Sequence, residues 1–371
     1  MKKVVFFLLS IYLNTHLLAQ VPYNTAAPNG YTKKASVTEQ VGLTTIAISY
    51  HRPAVNGREG KIWGGIVHNG FVDLGFGSRN PAPWRAGSNE NTIIEFDNDV
   101  KIEGQNLPKG KYGFFIAYDP SESIIIFSKK NDAWGSFFYH EKDDALRVKV
   151  KPQPVDNSIE HLKYEFTKQT ANSAVIGLYW EKQSLSFKVE VDYLKQQFDA
   201  FVTQSQNPGG FTSQGLTIAA NWCLQNNYQL EKGLEWATTA TGANFPGDPA
   251  SFTALVTRAG LLEKLGKSDQ SSTVIQSALP HGNVGQLQQL GRQLLTSKKY
   301  KAAMEVFEYN YKRTPDQFIT LTGMARGLSA NGDYAKALEY ATKALPLAPN
   351  DNNKQAVQAM IEKLKAGKDI N

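Results

Sequence analysis

The residues most able to do chemistry lie in the segment 84–92, which reads Trp-Arg-Ala-Gly-Ser-Asn-Glu-Asn-Thr. The Arg85 guanidinium could hold a carboxylate or a phosphate through two parallel hydrogen bonds, and the Trp84 indole could present a flat face to a sugar ring. Asn89 and Glu90 would add polar groups that give specificity. These residue types make the segment a candidate ligand-binding site, which would also draw on two upstream residues. The six candidate residues are Trp84, Arg85, Asn89, Glu90, Trp63 and His51.

A packing role for the same segment is the interpretation that we favour over a ligand-binding site. Arg85 would then stack on Trp84 or pair with Glu90, and Asn89 and Glu90 would cap a turn before a strand at residues 93–96. For Arg85 we favour this packing role, because arginines packed on tryptophan are common in β domains. If the segment is a site, its best candidates are Trp84, Asn89 and Glu90.

Spacing in the sequence identifies no catalytic constellation and no metal site. The histidines lack metal-like spacing, and the chain has no Gly-x-Ser-x-Gly elbow, phosphate-binding loop or dinucleotide fingerprint. The single cysteine, Cys223, lies in an apolar helical stretch, which favours a buried thiol over a nucleophile. We expect no metal and no cofactor, leave the catalytic residues unknown, and lean against an enzyme. A hydrolase-type enzyme with a site around Arg85 and Glu90 is the enzymatic alternative.

Length and charge set the broad class of protein. The chain has 371 residues, 41% hydrophobic and 20% charged, so it can bury the cores of about two domains. Its 40 basic and 34 acidic residues give a formal charge of +6, without any run of five or six basic side chains. This mild and scattered charge argues against a nucleic-acid partner.

The N-terminus has the pattern of a secretory signal peptide. Lys2 and Lys3 precede an apolar stretch from Val4 to Leu13, and a small residue, Ala19, precedes a plausible cleavage point. We predict a signal peptide at residues 1–19 and export to the periplasm or the outside of the cell. No cysteine lies at the cleavage point, so we do not expect a lipoprotein, and no later stretch is apolar enough to predict a transmembrane segment in the mature chain.

Two domains follow a flexible lead-in predicted at residues 20–35. Residues 36–192 show hydrophobic period two with frequent turn signals, which predicts an all-β antiparallel sandwich or barrel-like domain of roughly nine strands. Residues 174–180 and 185–191 read as two separate strands. The spacing of hydrophobic residues then becomes helical, which predicts a helical linker at residues 193–211.

Residues 212–371 predict an α-helical repeat domain. At a shift of 34, Tyr300 falls on Tyr334, Ala303 on Ala337, and Pro315 on Pro349. This pattern resembles the tetratricopeptide repeat, in which small residues let paired helices approach and a tyrosine packs between them. The clearest repeats are predicted at about 284–317 and 318–351, and two earlier stretches, 219–240 and 259–279, are repeat-like.

Several motifs of the β domain occur together in one order. They are Arg52-Pro53, Gly57-Arg58, the block 62–65, the segment 84–92, the hairpin 108–112, Trp134-Gly135 and the strand 144–148. Together they resemble the family of exported bacterial proteins known as domain of unknown function 2911. The resemblance implies no known activity and no catalytic residues. The chain differs from the common pattern in a longer loop at residues 70–83 and in His68, where proline is usual.

These observations predict an exported protein with a non-catalytic β domain that binds a ligand or a protein, and a helical-repeat module for docking. The partner would be another envelope protein held by the repeats, and a small-molecule or glycan ligand is possible for the β domain. The alternatives are an envelope scaffold that acts mainly through its repeats and the hydrolase-type enzyme named above.

Overall fold

The computed structural model describes residues 32–371, and the chain divides into two compact units between Tyr193 and Leu194. The predicted signal peptide and most of the predicted lead-in lie outside the described residues. The first strand begins at Lys33, so residues 33–35 of the predicted lead-in belong to the sheet.

Ten strands form two antiparallel sheets in the described part of the first unit. One sheet has the order β1-β2-β3-β6-β7-β8 and the other β5-β4-β10-β9. The strands are β1 (Lys33–Val41), β2 (Thr44–Arg52), β3 (Thr92–Phe96), β4 (Val100–Ile102), β5 (Gln105–Leu107), β6 (Gly110–Ala117), β7 (Ser123–Ser128), β8 (Asp144–Val150), β9 (Gln153–Thr167) and β10 (Ser173–Glu190).

The buried faces of the two sheets share one hydrophobic core, as in a sandwich. In β2, Ile46 and Ile48 are buried and Ala47 between them is less so, which is the period-two pattern seen in the sequence. The rings of Phe114 in β6 and Phe187 in β10 lie 5.7 Å apart and join the two sheets. The predicted antiparallel β class is confirmed.

The two strands predicted at residues 174–180 and 185–191 are a single strand, β10. Glu181 has a left-handed φ of 51°, and the register of β10 against β9 shifts on both sides of it. Such a β-bulge bends a strand without ending it, which explains why the hydrophobic pattern breaks there while the strand continues.

The connection between β2 and β3 covers nearly forty residues and carries the predicted ligand-binding segment. It is tied to the sheets by isolated bridges, among them Ala54 with His161, Asn69 with Tyr118, and Trp84 with Ile116. These bridges satisfy backbone groups that a long connection would otherwise expose or bury unpaired.

Ten helices follow in the second unit: α1 (Tyr193–Gln204), α2 (Ser213–Asn226), α3 (Leu230–Ala240), α4 (Phe252–Lys264), α5 (Ser268–Ala278), α6 (Val284–Thr296), α7 (Tyr300–Arg313), α8 (Phe318–Ala330), α9 (Tyr334–Ala344) and α10 (Asp351–Lys365). The starts of α6 and α7 recur in α8 and α9 at the shift of 34 found in the sequence. The ring of Phe198 in α1 lies 5.6 Å from Trp236 in α3, so α1 packs on the first helix pair.

Small residues allow the paired helices to approach, as predicted. Ala303 and Ala337 are fully buried, and a Cβ added to Gly291 would overlap the ring of Phe307. The predicted role of the tyrosine is wrong for Tyr300, because it lies at the start of α7 with 39% of its surface exposed rather than between two helices.

Candidate functional site

The segment 84–92 forms a tight turn that is held from inside the β unit. The Ala86 carbonyl accepts hydrogen bonds from Thr92 Oγ1 at 3.0 Å and from Tyr164 Oη at 2.8 Å. Ala86 and Asn89 have left-handed φ angles of 51° and 60°, which few non-glycine residues adopt. The turn is therefore rigidly specified by its contacts, whatever its function.

Trp84 lies in the core, which differs from the expectation of an exposed flat face. Only 6% of its surface is exposed, and its ring stacks on Trp180 at 6.1 Å with an interplanar angle of 16°. Its indole nitrogen donates to the Gly87 carbonyl at 3.1 Å. Trp63, which is partly exposed, meets the ring of Trp84 edge-on at 5.9 Å. The tryptophans fill space between the sheets, because large aromatic rings contribute most when buried.

Arg85 contacts other residues of the β unit, but neither of the two partners expected from the sequence. It does not pair with Glu90 or stack on Trp84; Nη1 donates to the Asn89 carbonyl at 2.6 Å, and the guanidinium lies 4.9 Å from the centre of the Phe137 ring. Burial lowers the pKa of Arg85. Gly135 leaves room for the guanidinium, since an added Cβ would overlap it.

His51, Asn89 and Glu90 form a small polar cluster near the surface. His51 is 8% exposed, and its Nε2 lies against a carboxylate oxygen of Glu90, whose side chain is 47% exposed. The Asn89 side-chain nitrogen lies 3.2 Å from His51 Nδ1 and donates to Thr32 Oγ1 at 3.1 Å. The structure thus brings three of the six predicted residues together and places Trp84, Arg85 and Trp63 in the framework behind them.

The polar cluster can accept hydrogen bonds at the Glu90 carboxylate, which lies beside the His51 imidazole. A carboxylate beside an imidazole does not by itself make a catalytic arrangement, because such an arrangement also needs a nucleophile or a charge-stabilising group near the pair. Within residues 32–371, no group of three or more histidine, cysteine or carboxylate side chains is arranged to hold a metal ion. The one cysteine, Cys223, is buried and free, as predicted, and burial raises its pKa to about 11.

The helical unit carries a different kind of site, an open groove of about 440 Å³ between α2, α4, α5 and α6. Its walls are mainly aliphatic or small side chains, and charged groups stand at its rim. The lining residues are Leu224, Val256, Ala259, Gly260, Glu263, Lys264, Ser271, Ile275, Leu290, Gln293, Leu294, Ser297 and Lys299. Sequence reasoning did not find this groove, because it is made by residues from four helices.

Small residues keep the groove open. Ala259 and Gly260 in α4 and Ser271 in α5 present little side chain towards it. A Cβ on Gly260 would come within 2.7 Å of the Leu224 side chain, so a larger residue there would press on the wall. The space is thus a consequence of residue size at the contacts between helices.

An adjoining depression of about 700 Å³ extends the groove, and the two share Glu263, Ile275 and Lys299. Lys299 pairs with Glu263 and lowers the pKa of that carboxyl. Across both spaces the basic lining residues outnumber the acidic ones. The basic residues are Lys264, Lys298, Lys299 and Lys301, and the acidic ones are Glu263 and Glu305.

No helix in the described range 32–371 combines the length and the apolar character needed to cross a membrane.

Comparison with solved structures finds helical repeat proteins at low identity, and comparison with curated proteins finds no match. The MamA RS-1 ArsTM double mutant is 16% identical, with a TM-score of 0.28, over 42% of this chain and 94% of that chain. A putative kinesin light chain from Podosopora anserina with nearly identical TPR-like repeats is 14% identical, with a TM-score of 0.31, over 42% and 85%. YrrB, a TPR protein with an unusual peptide-binding site, is 15% identical, with a TM-score of 0.30, over 47% and 87%.

The β unit matches one family model over nearly all of its described strands. The match runs over residues 32–189 and includes every motif named above, from Arg52-Pro53 to the strand 144–148. The resemblance found in the sequence is therefore confirmed: residues 32–189 match the model of the family described as protein of unknown function (DUF2911).

Proposed function

We propose that the helical unit is a protein-docking module that holds an extended, acidic segment of a partner protein in the groove between α2, α4, α5 and α6. The observation that carries this proposal is the combination of an aliphatic floor with a predominantly basic rim. Stacked helix pairs commonly use such extended surfaces to bind proteins.

The aliphatic residues that line the groove could contact apolar side chains of the partner. Val256 in α4 and Leu290 in α6 both line the groove, which is open to solvent. Burying an aliphatic side chain of the partner there would contribute about 1.5–3 kcal/mol, as for any fully buried side chain of that size.

The lysines at the edge of the groove favour carboxylates of the partner next to its buried apolar side chains. Lys264 is exposed and has no ion-pair partner within residues 32–371, unlike Lys299, which already pairs with Glu263. A partner carboxylate near Lys264 would be favoured over a partner amine, so charge would select the segment and steer its approach.

Selection of peptides tests this proposal. We expect a random twelve-residue peptide library, panned against the full chain, to yield sequences that combine aliphatic residues with aspartate or glutamate. The Lys264→Glu variant should bind these peptides at least tenfold more weakly. Lys267→Glu is the matched control, because Lys267 is exposed, lies three residues away and lines neither space.

Peptides without acidic residues, or peptides that bind Lys264→Glu as tightly as the parent, would rule the docking proposal out. Concentration-dependent self-association that Lys264→Glu abolishes would show a second copy of the chain as the occupant and would equally overturn a foreign acidic segment.

Ligand binding by the segment 84–92 stays a prediction, and we propose Glu90 with His51 and Asn89 as the place where a ligand would bind; their proximity supports this choice. Glu90 carries most of the exposed polar surface among these three. If a ligand binds there, Glu90→Gln should weaken it without changing stability, as expected for an exposed side chain.

We also propose that the protein is exported and that its mature chain begins at or near Gln20. Lys2, Lys3 and the apolar stretch that follows support this proposal, and all of them lie outside the described residues. N-terminal sequencing of the protein from the cell envelope or medium should recover Gln20; recovery of Met1 would contradict cleavage.

A further inference from the structure

A cavity of about 320 Å³ opens in the β unit where the long connection after β2 meets the segment before β8. None of the six predicted site residues lines it. Its lining residues are Phe71, Asn80, Pro81, Tyr139, Glu141 and Arg147.

Direct hydrogen bonds hold the two loops of this cavity together. The Ser78 backbone nitrogen donates to the Phe137 carbonyl at 2.8 Å, and Asn80 Nδ2 donates to the Tyr139 carbonyl at 3.3 Å. Asn80 Nδ2 also lies 2.6 Å from His140 Nδ1. The cavity is therefore a built feature of the fold, not a gap between two free loops.

Arg147 is oriented by a network behind the cavity wall. Its Nε donates to Asp144 Oδ2 at 2.7 Å, and its Nη2 donates to Tyr139 Oη at 2.8 Å. Tyr139 Oη in turn donates to the same Asp144 oxygen at 2.7 Å. The Asp144 side chain is only 8% exposed, and the guanidinium lies 5.3 Å from the centre of the Phe71 ring. Such a network fixes the plane of the guanidinium before any ligand arrives.

Hydrogen-bonding capacity remains on the cavity side. A guanidinium has five N–H groups. Arg147 uses them towards Asp144, Tyr139 and Glu141, whose Oε1 lies 3.1 Å from Nη1, and this leaves donors unused. The Asn80 amide nitrogen is engaged, so its oxygen is left as an acceptor. Donors and acceptors thus stand side by side in one small space.

The charges disfavour a simple ion as the ligand. An anion near Arg147 would also face the carboxylate of Glu141, which lines the cavity, and a cation would face the guanidinium. A neutral molecule rich in hydroxyl groups can donate and accept at once without meeting a like charge. Phe71, Pro81 and Tyr139 give the apolar walls that suit its C–H faces.

Exposed aromatic rings lie on the same two loops. Phe76 is 65% exposed, Trp134 54% and Phe138 44%, although large aromatic side chains are mostly buried in folded proteins. We propose that this cavity binds a neutral saccharide, whose hydroxyl groups bond to Arg147, Asn80 and Glu141 while these loops offer rings to its apolar faces. This site lies in the β unit, so it is independent of the docking function proposed for the helices.

Calorimetric titration of the full chain tests the proposal with glucose, galactose, mannose, N-acetylglucosamine, cellobiose, lactose and chitobiose. We expect at least one of them to bind. Arg147→Lys should weaken that binding at least tenfold, because lysine lacks the planar fork. Arg79→Lys is the matched control: Arg79 is an exposed arginine on the first loop that does not line the cavity.

A second variant keeps the test valid if Arg147→Lys fails to fold. The Glu141 side chain is 78% exposed, so Glu141→Ala should fold normally and still weaken binding several-fold. The proposal is overturned if none of the seven saccharides binds at millimolar concentration, or if binding survives Glu141→Ala unchanged. Binding lost in Glu90→Gln but kept in Glu141→Ala would move the site to the segment 84–92 and also overturn it.

Discussion

Replacing Arg85 by alanine should destabilise the β unit by about 2–4 kcal/mol. The hydrogen bond from its charged Nη1 to the Asn89 carbonyl is worth about 1.5–3 kcal/mol, and the contact with the Phe137 ring about 0.5–1 kcal/mol. Neither contribution involves Glu90. The Glu90→Gln variant should therefore leave the free energy of unfolding nearly unchanged, which separates this account from a buried Arg85–Glu90 pair.

Gly135 offers a sharper test, because it is coupled to Arg85. Its φ of 60° costs an alanine about 1–2 kcal/mol, and the added Cβ would also overlap the Arg85 guanidinium. In the Arg85→Ala background the overlap is gone and only the backbone cost is left. The double variant should then be more stable than the sum of the two single effects predicts, by at least about 1 kcal/mol.

Urea unfolding followed by tryptophan fluorescence would measure all four proteins of this cycle. Arg79→Ala is the control, since the Arg79 side chain is 69% exposed and pairs with Asp73, whose side chain is 43% exposed. We expect no measurable change in that control. Additivity of Arg85→Ala and Gly135→Ala, or equal stability of Arg85→Ala and Arg79→Ala, would refute the reasoning.

Three further predictions concern the helical unit and its border. Ala337→Trp should cost about 1–3 kcal/mol through overpacking, whereas Lys336→Trp on the exposed face should leave thermal stability nearly unchanged; equal melting curves would contradict the repeat alignment. Cys223 should react with a thiol reagent at pH 8 only on unfolding, because burial raises its pKa to about 11; rapid labelling of the folded chain would contradict this. Limited proteolysis should release a β fragment that ends between Val191 and Phe211, and a stable cut inside β10 would contradict that border.

Most of the fold could be predicted from local patterns. Alternation such as that of Ile46 and Ile48 marks one buried face, and the repeat shift of 34 appears again in the helix starts. The errors arose where local geometry departs from the average. The left-handed Glu181 interrupts the alternation inside one continuous strand, and Tyr300 starts its helix too early to pack between two others.

The sites were harder to predict, because their partners are distant in sequence. Arg85 lies on Phe137, 52 positions away, so proximity along the chain wrongly suggested Glu90 or Trp84 as its partner. The motif of Asp144 and Arg147 was visible in the sequence as a strand signature. The sequence does not show that Asp144 orients Arg147, because the network also needs Tyr139, which bonds to both residues.

Phe137 connects the framework of Arg85 to the proposed saccharide cavity. Its ring meets the Arg85 guanidinium and the Phe76 ring, and its carbonyl accepts from the Ser78 nitrogen that joins the two loops. Loss of Arg85 should therefore loosen the loop junction and weaken saccharide binding, although Arg85 does not line the cavity. Because the effect is indirect, Arg85→Ala should weaken binding less than Arg147→Lys, and Arg85→Lys should restore part of it. Titration of the three variants with one saccharide would measure the order of their affinities. An Arg85→Ala variant that binds as tightly as the parent would show that the two parts of the β unit are independent.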